Sequence, residues 1–433
     1  MERLKKILIY GGWFGSKNVG DEAILLGILK NLKALMPEAT FTVFSGDPNF
    51  TEKFFHVTAI NANNIFTKVF LAYQKADLFV VSGGTPFYDY DHLLRFYRIG
   101  LAKALGKPII FYGVSIKEIK SRIGKLTTRF LVNIADVLTV REPGSEKILR
   151  NLGITREVIL TADPTIMLEP APPEHVAKIY TLEGVKLDST TIGIAPRYFS
   201  TDYKYVYHDA VSQQDIYKYI TVMAQVADHF IDKGYKVIFI PFHSIPPDDD
   251  KKIIAKIVSL MRRRDNVFII KGTYTPSELI GMIGKLRLVI GTRLHSLIFS
   301  TLMYVPIVAI SYERKIKDFM ELIGQNAFVC ELENLQTKAL VHKVEMALSS
   351  EKITSELRDK IQALRLKALL TPRLIVKLLN AKKEKSKFKS GLRVLLGMSF
   401  IITFGSILMF RSLPSRIYTM IIHKLNISQK RAL

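Results

Sequence analysis

Lys6-Ile7-Leu8-Ile9-Tyr10 runs without a break into Gly11-Gly12-Trp13-Phe14-Gly15-Ser16-Lys17-Asn18-Val19-Gly20-Asp21-Glu22, and the chain continues helical through residues 21–35. The opening five residues form a short apolar run of buried-strand length. Beyond them Ile24, Leu25, Ile28, Leu32 and Leu35 recur at helical spacing on one stripe. A strand, a glycine-rich turn and an amphipathic helix, in that order, make the βα unit of a parallel sheet. The four glycines allow tight turns and close backbone approach, and Asp21 is placed to cap the helix. An acid at a helix start disfavours an anion there, so a neutral, hydroxyl-rich ligand suits this turn better. A structural turn accounts for the same residues, because the spacing matches neither G-x-G-x-x-G nor the P-loop.

The same alternation extends along the chain. Strand-like runs fall at Thr40–Ser45, 78–82, 108–112 and Val137–Val140, with helical stretches between them. Pro164, Pro170, Pro172 and Pro173 then crowd ten residues, which neither a helix interior nor a central strand accepts. A second series follows, with strands at Thr191–Ala195, 236–241, 267–270, 288–290 and 307–310, and a helix at 216–233 closed by Gly234. The 433 residues exceed the roughly 250–300 at which one core stops growing. The expectation is therefore two doubly wound α/β domains of Rossmann type, residues 1–168 and 189–350, joined by a linker at 169–188. A helical connection at 351–381 ends its first helix at Thr371-Pro372, and a basic, apolar tail occupies 382–433. Such domains leave a cleft between the carboxyl ends of their strands, where ligands bind.

Composition removes several classes. With 48% hydrophobic and 23% charged residues the chain is neither disordered, collagenous nor a coiled-coil rod. One cysteine, Cys330, excludes an intrachain disulfide framework and a Cys-cluster zinc site, and fits a reducing compartment. No metal is suggested. Residues 7–10 are too few for a secretory h-region of ~7–15 residues, which points to a cytoplasmic protein. The net charge of +23 is concentrated: residues 373–433 hold 13 Lys/Arg and one acid, Glu384. Lys382, Lys383, Lys385, Lys387, Lys389 and Arg393 precede the uncharged run 394–410, which Arg411 closes, and 417–425 is a second, amphipathic piece. At 1.5 Å per residue that run is about 25 Å of helix, short of a ~30 Å hydrocarbon core. Basic flanks beside an apolar helix suit anionic headgroups, so the tail is expected to attach the protein to the cytoplasmic face of a membrane, whether spanning or lying in the interface. A buried core or partner helix is the competing reading. Nucleic acid is not expected, because the tail's basic residues lack interleaved aromatics for base stacking.

Four further segments stand where cleft chemistry belongs. Ser82-Gly83-Gly84 closes an apolar strand, although strand–helix packing also explains such glycines. Arg197 ends the strand that opens the second domain. Gly291-Thr292-Arg293-Leu294-His295-Ser296 leads from a strand into a helix and gathers amides, a guanidinium and an imidazole, which together hold an oxyanion and offer a proton. Ile310-Ser311-Tyr312-Glu313-Arg314-Lys315-Ile316-Lys317 follows the next strand.

Taken in order, these segments resemble the polysaccharide pyruvyltransferase family. The resemblance rests on Asn18-Val19-Gly20-Asp21-Glu22, Ser82-Gly83-Gly84, Arg141-Glu142-Pro143-Gly144-Ser145 with Leu152-Gly153, Thr161-Ala162-Asp163-Pro164, the Arg293-Leu294-His295 run and Ile310-Ser311-Tyr312. It covers about residues 1–345, and Thr85 stands where the family usually has a further Gly. It implies a GT-B-like fold and transfer of pyruvate, as a ketal, from phosphoenolpyruvate (PEP) to a sugar of a cell-surface polysaccharide or its precursor, free or lipid-linked. No cofactor is implied beyond that donor substrate. Arg197, Arg293, Leu294 and His295 would hold PEP, with His295 the proton donor as an imidazolium and His243 in reserve. Gly12, Asn18, Asp21, Ser82, Gly83 and Gly84 would face the acceptor. The rival on the same architecture is a nucleotide-sugar glycosyltransferase with Glu313 as its donor-site glutamate.

Overall fold

The computed structural model describes residues 5–381 except 65–66, 90, 187, 189, 200–210 and 247. The expected tail, 382–433, lies outside the described residues. In the first domain β1 (Lys6–Tyr10), α1 (Val19–Leu35), β2 (Thr40–Ser45), α2 (Pro48–Phe55), β3 (Thr58–Asn61), α3 (Thr67–Lys75), β4 (Leu78–Val81), α4 (His92–Ala104), β5 (Ile109–Val114), α5 (Arg122–Asn133), β6 (Val137–Val140), α6 (Pro143–Asn151) and β7 (Ile159–Leu160) alternate. Their seven strands make one parallel sheet in the order β3-β2-β1-β4-β5-β6-β7. In the second, α7 (Pro173–Leu182), β8 (Thr191–Ala195), α8 (Gln213–Asp232), β9 (Lys236–Phe239), α9 (Asp250–Leu260), β10 (Val267–Ile269), α10 (Pro276–Ile283), β11 (Leu288–Gly291), α11 (Leu294–Leu302), β12 (Ile307–Ser311), α12 (Arg314–Leu322), β13 (Val329–Glu331) and α13 (Thr337–Ser349) follow. This sheet runs β10-β9-β8-β11-β12-β13. Two helices, α14 (Ile353–Ala368) and α15 (Leu370–Ala381), complete the described chain.

Both sheets reverse their winding at one place, between β1 and β4 in the first and between β8 and β11 in the second. At such a switch point neighbouring loops leave the sheet in opposite directions and open a crevice at the carboxyl ends. The two glycine turns follow β1 and β4; Arg197 and the Arg293–His295 turn follow β8 and β11. Topology alone therefore brings the segments singled out in the sequence to the two crevices.

The proline cluster does not make an extended linker throughout 169–188. Pro172 is the N-cap and Pro173 the first residue of α7, a position where the missing N–H has no intrahelical partner to lose. Val176, Ile179 and Tyr180 bury into the second core, and the Tyr180 hydroxyl donates to the Met282 carbonyl at 2.7 Å. Nor does the chain stop being helical at Pro372. Thr371 and Pro372 open α15, which returns to the first domain and buries Ile375 and Leu379 among β1, β2 and α1 residues. The second core also takes in Val19, Ala23 and Ile166 of the first domain, so apolar packing continues across the junction.

Candidate active site

β8 and β11 pair in register, Ala195 opposite Gly291, and the Thr292 N–H donates to the Ala195 carbonyl at 3.0 Å. The residues that follow each strand therefore leave side by side. β12, on the other flank of β11, delivers Tyr312 and Glu313. Arg197 Nη1 donates to the Tyr312 hydroxyl at 2.6 Å, and its guanidinium lies 4.6 Å from the centre of that ring. Its backbone N–H donates to the Tyr219 hydroxyl at 3.3 Å, which in turn shares a proton with Thr292 Oγ1 at 2.8 Å. Arg197 is thus held by Tyr312, just past β12, and by Tyr219 of α8, which Thr292 just past β11 holds in turn.

Arg293 does not stand open toward a ligand. Its Nε and Nη2 fork onto Asp250 at 3.1 and 2.6 Å, and both residues are buried. Asp250 also accepts the backbone N–H groups of Tyr198, Phe242 and His243. One carboxylate thereby ties Arg293 to the chain just past β8 and to the loop after β9. Asp249 caps α9, and its neighbour Asp250 turns inward.

His295 sits in the first turn of α11, with Leu294 buried beside it. Its ring presses against Gly20 of α1, whose imagined Cβ would lie 2.2 Å from Nδ1. Nε2 is 3.7 Å from Asp163 Oδ2 of the first domain. Asp163 is engaged by Arg141 Nη1 at 2.6 Å, and Arg141 Nε reaches Glu142 Oε2 at 3.1 Å. Burial would raise the Asp163 pKa, but Arg141 and then His295 outweigh it and leave it lowered. The His295 pKa falls to about 4: burial is the main cause, Asp163 opposes it, and Arg141, Lys315 and Arg293 add to it. Without a bound anion the ring is therefore a neutral imidazole at pH 7, because burial removes the water that would solvate the charge; the expected imidazolium belongs to the donor-bound state. His243 also faces the first domain, with Nε2 3.3 Å from the Ser16 carbonyl and its backbone bridged to Asn18. Its pKa is lowered by burial and then by Arg293.

On the first-domain side, the glycines answer to backbone packing. A Cβ on Gly11 would meet the Ser82 carbonyl at 1.9 Å, and one on Gly83 would meet Gly12 at 2.3 Å. Both have positive φ, so the two turns pass too closely for any side chain. The Ser82 hydroxyl donates to the Tyr112 carbonyl at 2.8 Å and is fully buried, which turns it away from an acceptor. Asn18, not Asp21, caps α1, accepting from the Gly20 N–H at 3.1 Å. Asp21 is buried between the turns, receives the Gly84 N–H at 3.4 Å, and has its pKa raised by burial. Glu22 accepts the N–H groups of Gly15 and Lys17 at 2.9 and 3.1 Å. Burial and then Asp21 push its pKa up to about 8.

A cleft of about 940 Å³ opens beside this cluster. Its walls come from residues 115–120 and the start of α6 on one side and from residues 311–315 on the other. Glu313 bridges them, with Oε1 2.7 Å from Lys315 and Oε2 3.1 Å from Lys117 of the first domain. Burial opposes its ionisation, yet Lys315, Lys117 and Arg197 hold its pKa well below the usual range. Arg197's partner Tyr312 lines the cleft, while Arg293 and His295 lie outside its lining. Lys117 was not foreseen. Arg141 and Asp163 each follow an apolar strand, the same signal that marks Arg197.

The family model for polysaccharide pyruvyl transferases matches residues 18–314, a span that takes in Asn18, the Ser82-Gly83-Gly84 turn, Arg197, the Arg293–His295 run and Tyr312. The chain belongs to the polysaccharide pyruvyl transferase family. Among curated proteins it is 24% identical over 288 residues to the amylovoran biosynthesis protein AmsJ of Erwinia amylovora, covering 64% of this chain and 66% of the relative, just under two thirds of its length. Solved structures place the fold. A glycosyltransferase from Rickettsia africae superposes with a TM-score of 0.57 at 12% identity, covering 89% of this chain and 100% of that one. A UDP-GlcNAc 2-epimerase from Methanocaldococcus jannaschii does so with a TM-score of 0.57 at 13% identity, covering 87% and 99%. The two-domain, GT-B-like architecture of this pyruvyl transferase family member is thus shared with sugar-handling proteins at identities that speak for the fold alone.

Proposed function

We propose that the protein transfers the pyruvyl group of PEP onto two hydroxyls of one sugar in a polysaccharide or its precursor. The observation that carries this is the placement of Arg197, Arg293 and His295 at the second domain's switch point, with His295 directly against Gly20 of the first domain, in a chain of this family. PEP brings a carboxylate and a phosphate on one carbon, and guanidinium groups match both bidentately. Asp250 takes the Nε and one Nη2 N–H of Arg293, and the Asp248 carbonyl takes the other at 3.4 Å, which fixes the guanidinium plane; only the two N–H groups of Nη1 are left to serve the donor together with Arg197.

Chemistry then follows from the charge balance. His295 is neutral before the donor arrives. An anion of two or three charges beside the ring raises its pKa, so that it takes a proton. It delivers that proton to the methylene carbon of PEP, and one sugar hydroxyl adds to the central carbon. The C–O bond to phosphate breaks, and the second hydroxyl closes the ketal. Of the two protons lost by the sugar, one balances the new methyl group and the other leaves on phosphate. A positioned acid of this kind typically supplies ~10²–10⁴-fold. Asp21, buried with a raised pKa beside Gly84, and Asn18 are the polar groups assigned to the acceptor side.

The tail at 382–433 is assigned to the membrane. Its support is the clustered lysines and the uncharged run 394–410; among the described residues no helix is long and apolar enough to cross a bilayer. Removing 382–433 should release the protein from a detergent-requiring fraction and leave PEP binding intact.

The reaction is tested by offering PEP, and separately nucleotide sugars, with a lipid-linked glycan extract. Phosphate released from PEP only in the presence of the glycan supports the reading. Nucleotide release in its place assigns the glycosyltransferase reaction instead.

A further inference from the structure

Helix α5 buries Gly124, Thr128, Leu131 and Val132 against the first domain. Its outward stripe is apolar as well. Ile123, Leu126 and Phe130 are 64%, 68% and 48% exposed, and spacings of three and four place them on one face. The patch continues onto α4, where Phe96 packs on Phe130 with ring centres 5.4 Å apart and Leu93, one turn earlier, is exposed. Lys120, Arg122, Lys125 and Arg129 rim this face, all exposed, and residues 119–135 contain no acid. The acids nearby include Glu118, exposed just before the rim, Asp91, half-buried at the start of α4, and Asp89. The Asp89 carboxylate is turned inward, accepting the Ser121 hydroxyl and the Lys120 and Ser121 N–H groups.

We propose that this face of α5 is a docking surface for an anionic lipid bilayer, separate from the tail. An apolar stripe of large side chains inside a cationic rim matches hydrocarbon below negative headgroups. A second copy of the chain would set the four cations against their own kind. A nucleic acid would leave Ile123 and Leu126 without burial. Lys125, Leu126 and Arg129 also line the mouth of the cleft, so docking on α5 turns that opening toward the membrane surface. The inference concerns binding and stands whether or not PEP is the donor.

The test uses the full chain carrying Leu126→Cys with an environment-sensitive fluorophore. Cys330 is buried, so labelling goes to residue 126. Vesicles containing phosphatidylglycerol should blue-shift the emission. Vesicles of phosphatidylcholine alone should not, and neither should the same label at Leu260→Cys, an exposed position on α9. Lys120→Gln with Arg122→Gln and Arg129→Gln in the labelled protein should weaken the response by roughly fivefold for each cation removed. Their side chains are exposed, so the thermal midpoint should hold. Three results overturn the proposal: protein that sediments with vesicles while the label stays in water; a shift without vesicles that grows with protein concentration, marking a contact between copies; and a shift that requires another protein.

Discussion

His295 of the second domain lies against Gly20 of the first so closely that a Cβ on Gly20 would be 2.2 Å from its Nδ1. The absence of a side chain at residue 20 sets the position of the imidazole proposed as the acid.

Gly20→Ala therefore separates fold from function. Alanine in a helix is favoured over glycine by roughly 0.5–1 kcal/mol, so α1 should persist and the thermal midpoint should not fall by more than a few degrees. The ring of His295 must move, and turnover should drop tenfold or more. Measured kcat unchanged alongside an intact midpoint would show that His295 does not depend on this contact.

The two arginines should respond differently. Arg293→Ala strands Asp250, a fully buried carboxylate, and breaking a buried pair costs about 3–5 kcal/mol. Denaturant unfolding should show that loss. Arg197→Ala, at a half-buried position held by Tyr312, should leave unfolding nearly unchanged while PEP binding weakens by roughly tenfold or more, the worth of a hydrogen bond to a charged group. Equal destabilisation by both would contradict the assignment of separate roles.

Stability should depend on pH from both sides. The His295 pKa is depressed to about 4 from 6.5, so between these values the unfolded chain binds the proton and the folded one does not. Stability is lost as pH falls through that window, and the lowered pKa of Asp163 adds to the loss further into acid. The Glu22 pKa is raised from 4.5 to about 8; its contribution is full below 4.5 and disappears as pH rises to 8. Each unit of such a shift corresponds to about 1.4 kcal/mol. Glu22→Gln, which keeps an oxygen for Gly15 and Lys17, should flatten the alkaline limb in pH-resolved melting. An unchanged limb would refute the assignment to Glu22.

Much of this arrangement was readable in advance because parallel sheets write their strands as apolar runs and place functional residues just beyond them. Arg197, Arg293 and Tyr312 were found by that rule. Asp250 was hidden in an acidic triplet that looks like a helix start, and its inward turn depends on Arg293, 43 residues later. The neutral state of His295 in the absence of a donor is illegible for a similar reason. A sequence shows the cations near the ring but not the removal of water by Gly20 and the first domain. Pro172, Pro173 and Pro372 read as breaks in the sequence, whereas each sits at the beginning of a helix, where proline is accommodated.

Donor binding should take up a proton. His295 is neutral at pH 7 without ligand, and the account requires it charged beside PEP. Calorimetric titrations of PEP in two buffers of different ionisation enthalpy should differ by an amount corresponding to uptake approaching one proton at pH 7. His295→Gln should bind PEP and lose that difference. Identical heats in the two buffers for the unaltered protein would remove His295 from the role of acid.

The most direct measurement is the structure of the product. Glycan recovered after incubation with PEP in D₂O should gain the mass of pyruvate less water, with one solvent deuteron in a new methyl group visible by NMR. A methyl signal of that kind establishes the ketal and the protonation step together. Vinyl protons in place of the methyl group, or a glycan altered only when a nucleotide sugar is supplied, would contradict the account.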